Sequence, residues 1–196
     1  TGKRETVCRR LGIETSKKVA ILASSNIEHE HISRETLKIF CTAMELLKSD
    51  GWTGIIKLHP VEKKSNFEPL INQYSNVILA EKEVLGVDDS LLIAECCCFY
   101  STAFAFEALM NQVPLVVINP DERYLGESRL LIEMGGVPQA RNAETLQHLF
   151  LHRKKDDLLS SQKELSTQYC SHTGHKAALN IVNQIECLLS DNSVLN

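Results

Sequence analysis

Short apolar runs alternate along this chain with stretches in which apolar residues recur every three or four positions. An apolar run that stops at polar residues is typical of a buried strand, whereas the wider spacing is typical of an amphipathic helix. The pattern therefore predicts strands and helices in alternation. The predicted strands cover residues 18–23, 52–58, 77–80, a cysteine-rich run from 96, 114–118 and, more weakly, 137–140.

The helical pattern is clearest after the first strand. Ser33 is a suitable N-cap, apolar residues recur from Leu37 to Leu47, and Gly51 permits the left-handed turn that ends a helix. Other helices are predicted over 66–74, 88–94, 102–111, 129–134 and 143–150, and a closing helix is predicted from the apolar stripe of Ala177, Ile181, Ile185 and Leu188.

This alternation predicts an α/β fold with a doubly wound, mainly parallel, Rossmann-like sheet of five or six strands, because parallel neighbours need helical crossovers. An α+β fold would need hairpin turns, and the sequence shows none. We expect residues 1–17 to be a linker or a short helix from a preceding domain, and 18–196 to form the Rossmann-like domain. Because the chain starts at Thr1 and not at a methionine, we also expect it to be part of a longer polypeptide.

Composition and charge argue against several functional classes. The 196 residues carry a net charge of −4, which gives no bulk attraction to nucleic acid or to an anionic membrane. No apolar run reaches the roughly 18 residues that span a bilayer, and no signal segment opens the chain. We therefore expect a cytoplasmic protein.

The seven cysteines include three in a row at 96–98. Adjacent strand residues point to opposite faces and free cysteine is readily buried, so the triplet is interpreted as core packing. No CxxC spacing occurs and the other cysteines are scattered, which argues against a disulfide framework or a zinc site.

Two predicted strand ends carry candidate chemistry, because parallel sheets bind ligands outside the carboxyl ends of their strands. After the second strand, the His59 imidazole can donate to a phosphate oxygen or transfer a proton, and Pro60 fixes the backbone. Ser101 and Thr102 stand at the predicted start of a helix, where hydroxyls and unpaired amides suit phosphate. A surface histidine and a plain helix cap are the alternatives. The combination predicts an anionic ligand, most simply the phosphates of a nucleotide.

Glu107 lies in the helix that follows Thr102. Its carboxylate could accept hydrogen bonds from the vicinal hydroxyls of a ribose or a sugar, or it could simply face solvent. Ser25, in the polar loop after the first strand, and Lys176, near the start of the closing helix, are further candidate ligand contacts.

His29 and His31 flank Glu30 and could form a base or a metal site, although this spacing in a polar loop is more often solvated sequence. The G-x-G-x-x-G, P-loop and G-x-S-x-G signatures are absent from the sequence. The usual dinucleotide-binding, NTPase and hydrolase signatures therefore give no assignment.

The order of short motifs nevertheless resembles a known family. Lys-Leu-His-Pro at 57–60, Ser-Thr at 101–102, Glu-Ala-Leu at 107–109 and Val-Pro-Leu-Val-Val-Ile at 113–118 are similar to the C-terminal nucleotide-binding half of GT-B glycosyltransferases. The likeness is greatest to those using cytidine nucleotides: bacterial sialyltransferases and polysialyltransferases, capsule polysaccharide transferases and CDP-glycerol glycerophosphotransferases. It extends over roughly residues 18–190 and includes Ser-His-Thr-Gly-His-Lys at 171–176.

This resemblance implies a donor-binding domain for a nucleotide-activated sugar or polyol, CMP- or CDP-linked, in the synthesis of a surface polysaccharide or glycoconjugate. It assigns His59, Pro60, Ser101 and Thr102 to the phosphate and cytidine portion, and Glu107 to donor hydroxyls. We expect no metal ion and no other cofactor, since a helix dipole and neutral donors can hold a diphosphate. The general base would lie in a missing N-terminal acceptor domain, which would also provide any peripheral membrane association.

Two alternatives stay open. UDP-N-acetylglucosamine 2-epimerases share the GT-B architecture, but they usually have Ser-Gly-Gly where this chain has Ser101-Thr102-Ala103. A non-catalytic nucleotide-binding or sugar-binding module would bind its ligand without turnover.

Overall fold

The computed structural model describes residues 2–25, 30–121, 128–133, 136–169, 178–179, 181–183 and 185. Its centre is a six-stranded sheet in which every pairing is parallel. The strands are Lys18–Ala23 (β1), Trp52–Lys57 (β2), Val77–Ala80 (β3), Ala94–Phe99 (β4), Leu115–Ile118 (β5) and Gln139–Ala140 (β6).

Helices connect these strands. They are Lys3–Arg10 (α1), Glu30–Leu46 (α2), Glu68–Ile71 (α3), Val87–Ile93 (α4), Phe104–Met110 (α5), Ser128–Glu133 (α6), Ala143–His152 (α7) and Lys155–Tyr169 (α8), with 3-10 turns at Lys48–Asp50 and Lys64–Asn66. Residues 178–179, 181–183 and 185 are also helical.

The strand order is β3-β2-β1-β4-β5-β6, so the predicted doubly wound α/β fold is confirmed. The chain runs outward from β1 to one edge, returns, and continues from β4 to the other edge. The order of the strands reverses between β1 and β4, and this switch point is where ligands bind in such sheets. The weakly predicted strand near 137–140 is the short edge strand β6.

Side chains of alternate strand residues form two cores, one on each face of the sheet. Ile21 and Cys97 belong to the first core, which also contains residues of α1, α4, α5, α6 and α8. Leu22 and Cys98 belong to the second, which is covered by α2, α3 and α7. The cysteine triplet is therefore core packing, and Cys96, Cys97 and Cys98 are all free and buried.

Helix α2 and the segment around α3 differ from the prediction. Helix α2 begins at Glu30, so Ser33 lies inside the helix and does not cap it. The earlier start buries Ile32, which is 7% exposed. The predicted helix over 66–74 is only a 3-10 turn followed by the four residues of α3, with Pro69 at its beginning.

Helix α8 was not predicted at all. Its buried face consists of Leu158, Gln162 and Leu165, and the polar glutamine in the middle hides the apolar spacing.

In the closing segment, the described residues are helical as predicted, but Ile181 and Ile185 are 60% and 50% exposed. These two members of the predicted apolar stripe are therefore exposed, and the other two, Ala177 and Leu188, lie outside the described residues.

Within the described residues, no helix is both long enough and apolar enough to cross a bilayer.

Candidate functional site

Polar side chains from three strand ends meet around the switch point between β1 and β4. Ser25 follows β1 and Ser101 follows β4. The Ser25 hydroxyl donates to the Ser101 carbonyl oxygen at 2.5 Å and accepts from the Ser101 amide at 3.3 Å. Two loops that are 76 residues apart in sequence are thus joined across the switch point.

A second set of hydrogen bonds fixes the backbone of His59. The His59 amide donates to the Ser24 hydroxyl at 2.8 Å and lies 2.9 Å from Oε2 of Glu62. The Ser24 hydroxyl in turn bonds the same carboxylate oxygen, with the Lys57 carbonyl also within 3.1 Å. Sequence reasoning missed Ser24 and Glu62, because a serine after a strand and a glutamate in a lysine-rich turn resemble solvated loop residues.

These hydrogen bonds involve the backbone amide of His59 and not its imidazole ring. Its Nδ1 atom is buried, yet it has no hydrogen-bond partner among the described residues. A buried nitrogen without a partner is unfavourable unless something else satisfies it. His59 is therefore not an ordinary solvated histidine, and its ring is available to a ligand.

His59 and Pro60 also line a cavity of about 190 Å³ at the ends of β2 and β3. This volume is below that of a complete small-molecule site and suits one part of a ligand. The other residues that line the cavity are Leu58, Glu62, Glu81, Lys82 and Glu83.

Thr102 acts as a cap, and the helix it caps starts later than predicted. Helix α5 begins at Phe104, and the Thr102 hydroxyl accepts from the Phe104 amide at 3.3 Å. Ala103, which precedes the helix, already has a right-handed helical backbone and makes no side-chain cap. The expectation of a helix start at Thr102 with unpaired amides is thus wrong by two residues. Ser101 and Thr102 are both half-buried beside the switch point.

Glu107 faces inward and not into open solvent. It is half-buried in the first turn of α5, and its Oε2 atom is buried without a hydrogen-bond partner among the described residues. The charge of Glu107 acts on Lys57, the last residue of β2, which sequence reasoning also missed. Burial lowers the Lys57 pKa, while the charge of Glu107 and then the Cys97 thiol act to raise it. A lysine in the otherwise apolar run before His59 was the available signal.

The remaining candidates are Lys176 with its neighbouring histidines, His29 and His31. Lys176 and the neighbouring histidines lie outside the described residues, as does His29. His31 is exposed on α2. Within the described ranges, no group of three or more His, Cys, Asp or Glu side chains is arranged to hold a metal ion.

Comparison with solved structures identifies the fold. The wall teichoic acid polymerase TagF, in a crystal soaked with CDPG, superposes with a TM-score of 0.66 at 18% identity, over 96% of this chain and 46% of TagF. MnaA of S. aureus, in a structure with UDP, gives 0.66 at 16% identity, over 97% of this chain and 49% of MnaA. The C-terminal CMP-Kdo binding domain of WaaA from Acinetobacter baumannii gives 0.54 at 18% identity, over 83% of this chain and 95% of that domain.

These proteins are GT-B glycosyltransferases in fold, so the expected resemblance is confirmed at the level of the fold. This chain spans about half the length of TagF and of MnaA. No protein-family model matches the chain, and no curated protein matches it.

Proposed function

We propose that this chain is the donor-binding domain of a GT-B-type glycosyltransferase and that it binds a sugar or polyol linked to CMP or CDP. The observation that carries the proposal is the buried, unpartnered Nδ1 atom of His59 beside the switch point. Ser24 and Glu62 fix the backbone of His59. Its ring nitrogen can therefore form a hydrogen bond with a phosphate oxygen of the donor. The same fold in TagF with CDPG, and in the CMP-Kdo binding domain of WaaA, supports a cytidine nucleotide.

Each site residue has a separate role in this proposal. The His59 imidazole neutralises or protonates the leaving nucleotide, and Pro60 shapes the adjoining cavity. The loop of Ser101 and Thr102 offers hydroxyls to the phosphates, while Ser25 holds that loop in place. The Glu107 carboxylate accepts hydrogen bonds from donor hydroxyls.

Lys176 stays a predicted cationic contact for the donor. Activation of the acceptor is proposed to come from a further domain of the full protein, as is any contact with a membrane. The expected pathway is the synthesis of a surface polysaccharide or glycoconjugate in the cytoplasm.

Calorimetric titration with CMP, CDP, UDP and cytidine tests the proposal. We expect CMP and CDP to bind more tightly than cytidine, because His59 and the Ser101 loop contact phosphate. His59→Ala should weaken CMP binding by about 1–3 kcal/mol, which is the free energy typically lost when a hydrogen bond to a charged group is removed. His152→Ala, which removes an exposed histidine of α7, is the matched control and should change nothing.

Equal CMP affinity in His59→Ala and the parent would contradict the proposed role of His59. Preference for UDP would favour the epimerase alternative. In the full protein, binding without transfer to any acceptor would favour a non-catalytic module.

A further inference from the structure

A small cavity lies between helix α2 and the turn that begins at His59. Its volume is about 20 Å³, and its walls include Thr36 of α2, Glu62 of the turn and the buried Phe67. A cavity of roughly 10–15 Å³ or more can hold one water molecule. The cavity therefore has room for a water molecule but not for a nucleotide or a sugar.

Two side chains in the walls of this cavity each have a buried oxygen atom without a hydrogen bond. These atoms are the Thr36 hydroxyl and Oε1 of Glu62, and neither has a partner among the described residues. A buried polar atom without a partner is unfavourable, and ordered water commonly satisfies such atoms. Two unpartnered oxygens thus belong to residues that line the same water-sized cavity.

One water molecule supplies what these two atoms lack. A carboxylate oxygen accepts hydrogen bonds, whereas a hydroxyl group can donate or accept. A water molecule can donate one hydrogen to Glu62 and bond the Thr36 hydroxyl through its second hydrogen or its oxygen. Ser33 also lines the cavity and offers a further polar group. An apolar occupant would satisfy neither oxygen.

The second oxygen of the Glu62 carboxylate supports the candidate site. This Oε2 atom lies 2.9 Å from the His59 amide and also bonds the Ser24 hydroxyl. Because both oxygens belong to one rigid carboxylate group, a partner that holds Oε1 also restrains Oε2. The occupant of the cavity therefore restrains the backbone of His59 from the side of α2.

We propose that the cavity binds one ordered water molecule, which bridges the Thr36 hydroxyl and Oε1 of Glu62 and so connects α2 to the His59 backbone. Thr36 is then a positioning residue that acts through the water and Glu62, without touching a ligand. The site takes water and no part of a donor, so this inference does not depend on the proposed function.

Thr36→Val tests the bridge by the sign of its effect on stability. Valine has nearly the shape of threonine but no hydroxyl, so the replacement of an unpartnered buried hydroxyl should raise the melting temperature. Loss of a hydrogen bond to bound water should instead lower it, and we expect a fall of about 2–4 °C by circular dichroism. Thr42→Val, at a half-buried position of the same helix outside the cavity, is the matched control and should shift it by less than about 1 °C.

A high-resolution crystal structure of the parent chain observes the occupant directly. We expect one peak of water density within about 2.5–3.0 Å of both Oγ1 of Thr36 and Oε1 of Glu62. The melting temperature should also be the same in sodium, potassium and choline chloride at equal ionic strength, because water binding needs no particular cation. A rise that is specific to sodium or potassium would assign the cavity to a metal ion and overturn the inference.

Hydrogen exchange followed by NMR tests the connection to His59. The His59 amide should exchange several-fold faster in Thr36→Val than in the parent, because Glu62 then holds it less firmly. The Leu58 amide, which donates to the Ala80 carbonyl at 3.0 Å, is the internal control and should keep its rate. Thr36→Ser retains the hydroxyl and should preserve the slow exchange of His59.

The opposite results overturn the inference. A higher melting temperature of Thr36→Val would show that the hydroxyl has no partner to lose. A parent crystal structure without density between the two oxygens would remove the bridge, as would a Thr36 hydroxyl bonded to a backbone carbonyl of α2. Unchanged exchange of the His59 amide in Thr36→Val would show that the water does not support this backbone.

Thr36→Ser decides the matter if Thr36→Val does not fold. Exchange of the His59 amide at the parent rate would support the bridge, and faster exchange would show that the methyl group of Thr36 supports the turn by packing. If the chain binds none of CMP, CDP and UDP, the proposed function falls, while the density and exchange measurements still decide this inference.

Discussion

The side-chain amide of Gln162 bonds both backbone groups of Leu115. Its Oε1 atom accepts from the Leu115 amide at 3.0 Å, and its Nε2 atom donates to the Leu115 carbonyl at 3.0 Å. Gln162 is 1% exposed on α8, and Leu115 is the first residue of β5. A helix side chain thus satisfies the backbone at the start of a buried strand and fixes the position of α8.

Gln162→Ala should lower the free energy of unfolding by about 1–3 kcal/mol, because it leaves a buried amide and a buried carbonyl without partners. Chemical denaturation monitored by circular dichroism measures the change. Lys163→Ala, at the adjacent exposed position of α8, is the control and should stay within about 0.5 kcal/mol of the parent. Equal stability of the two variants would mean that water replaces the glutamine.

Gly136→Ala tests the packing of α8 against the residues that precede β6. A Cβ atom at Gly136 would lie 2.6 Å from Cδ1 of Leu165 and 2.8 Å from the Ser161 carbonyl oxygen, and the second neighbour is backbone. The variant should therefore lose about 1–3 kcal/mol of stability by overpacking. Gly86→Ala has no heavy atom within 4 Å of the new Cβ and should lose less than about 1 kcal/mol, as for a changed N-cap.

The fold was largely predictable because its signals are local. The strands Lys18–Ala23 and Val77–Ala80 lie where their apolar runs begin and end. Helix α8 escaped prediction because its buried face includes Gln162, whose role depends on a strand 47 residues away. Helix α2 starts before Ser33 because burial of Ile32 outweighs the capping preference of a serine.

The candidate site was predictable in position but not in its supporting contacts. That His59 and Ser101 follow strands can be deduced from the sequence, and the topology then brings these strand ends to one edge of the sheet. The positions of Ser24 and Glu62 around the His59 amide depend on how two loops fold against each other. The inward direction of Lys57 depends on its strand register. No local pattern in the sequence encodes either feature.

The described cysteines should be unreactive in the native protein. Burial, followed by the charge of Glu45, raises the pKa of Cys41 from 9.0 to about 12, and burial also raises the pKa of Cys97. Since the thiolate is the reactive form, a thiol reagent at pH 8 should modify these two cysteines only after denaturant is added. Mass mapping of the modified peptides identifies them, and rapid native labelling of Cys97 would contradict its burial in β4.

The raised pKa of Cys41 also predicts how stability depends on pH. The folded state keeps this thiol protonated, so its contribution is fully present below pH 9 and is lost as the pH rises from about 9 to about 12. Cys41→Ala should make the alkaline loss of stability shallower. Denaturation midpoints of the two proteins at pH 8 and pH 10.5 provide the comparison, and parallel curves would show that Cys41 does not contribute.

Thr102 should contribute to stability in addition to its proposed contact with phosphate. Thr102 bonds the Phe104 amide, so Thr102→Ala should lower stability by about 0.5–2 kcal/mol, and Thr102→Ser should retain most of the cap.

Ser101 instead lies on the loop that Ser25 holds across the switch point. If its hydroxyl contacts phosphate, Ser101→Ala should weaken the binding of CMP and CDP and leave the much weaker binding of cytidine nearly unchanged. Calorimetry with these three ligands, together with melting curves of each variant, distinguishes the two roles. An equal fractional loss of affinity for cytidine and CMP would contradict a phosphate contact, because the free nucleoside carries no phosphate for the serine to bind.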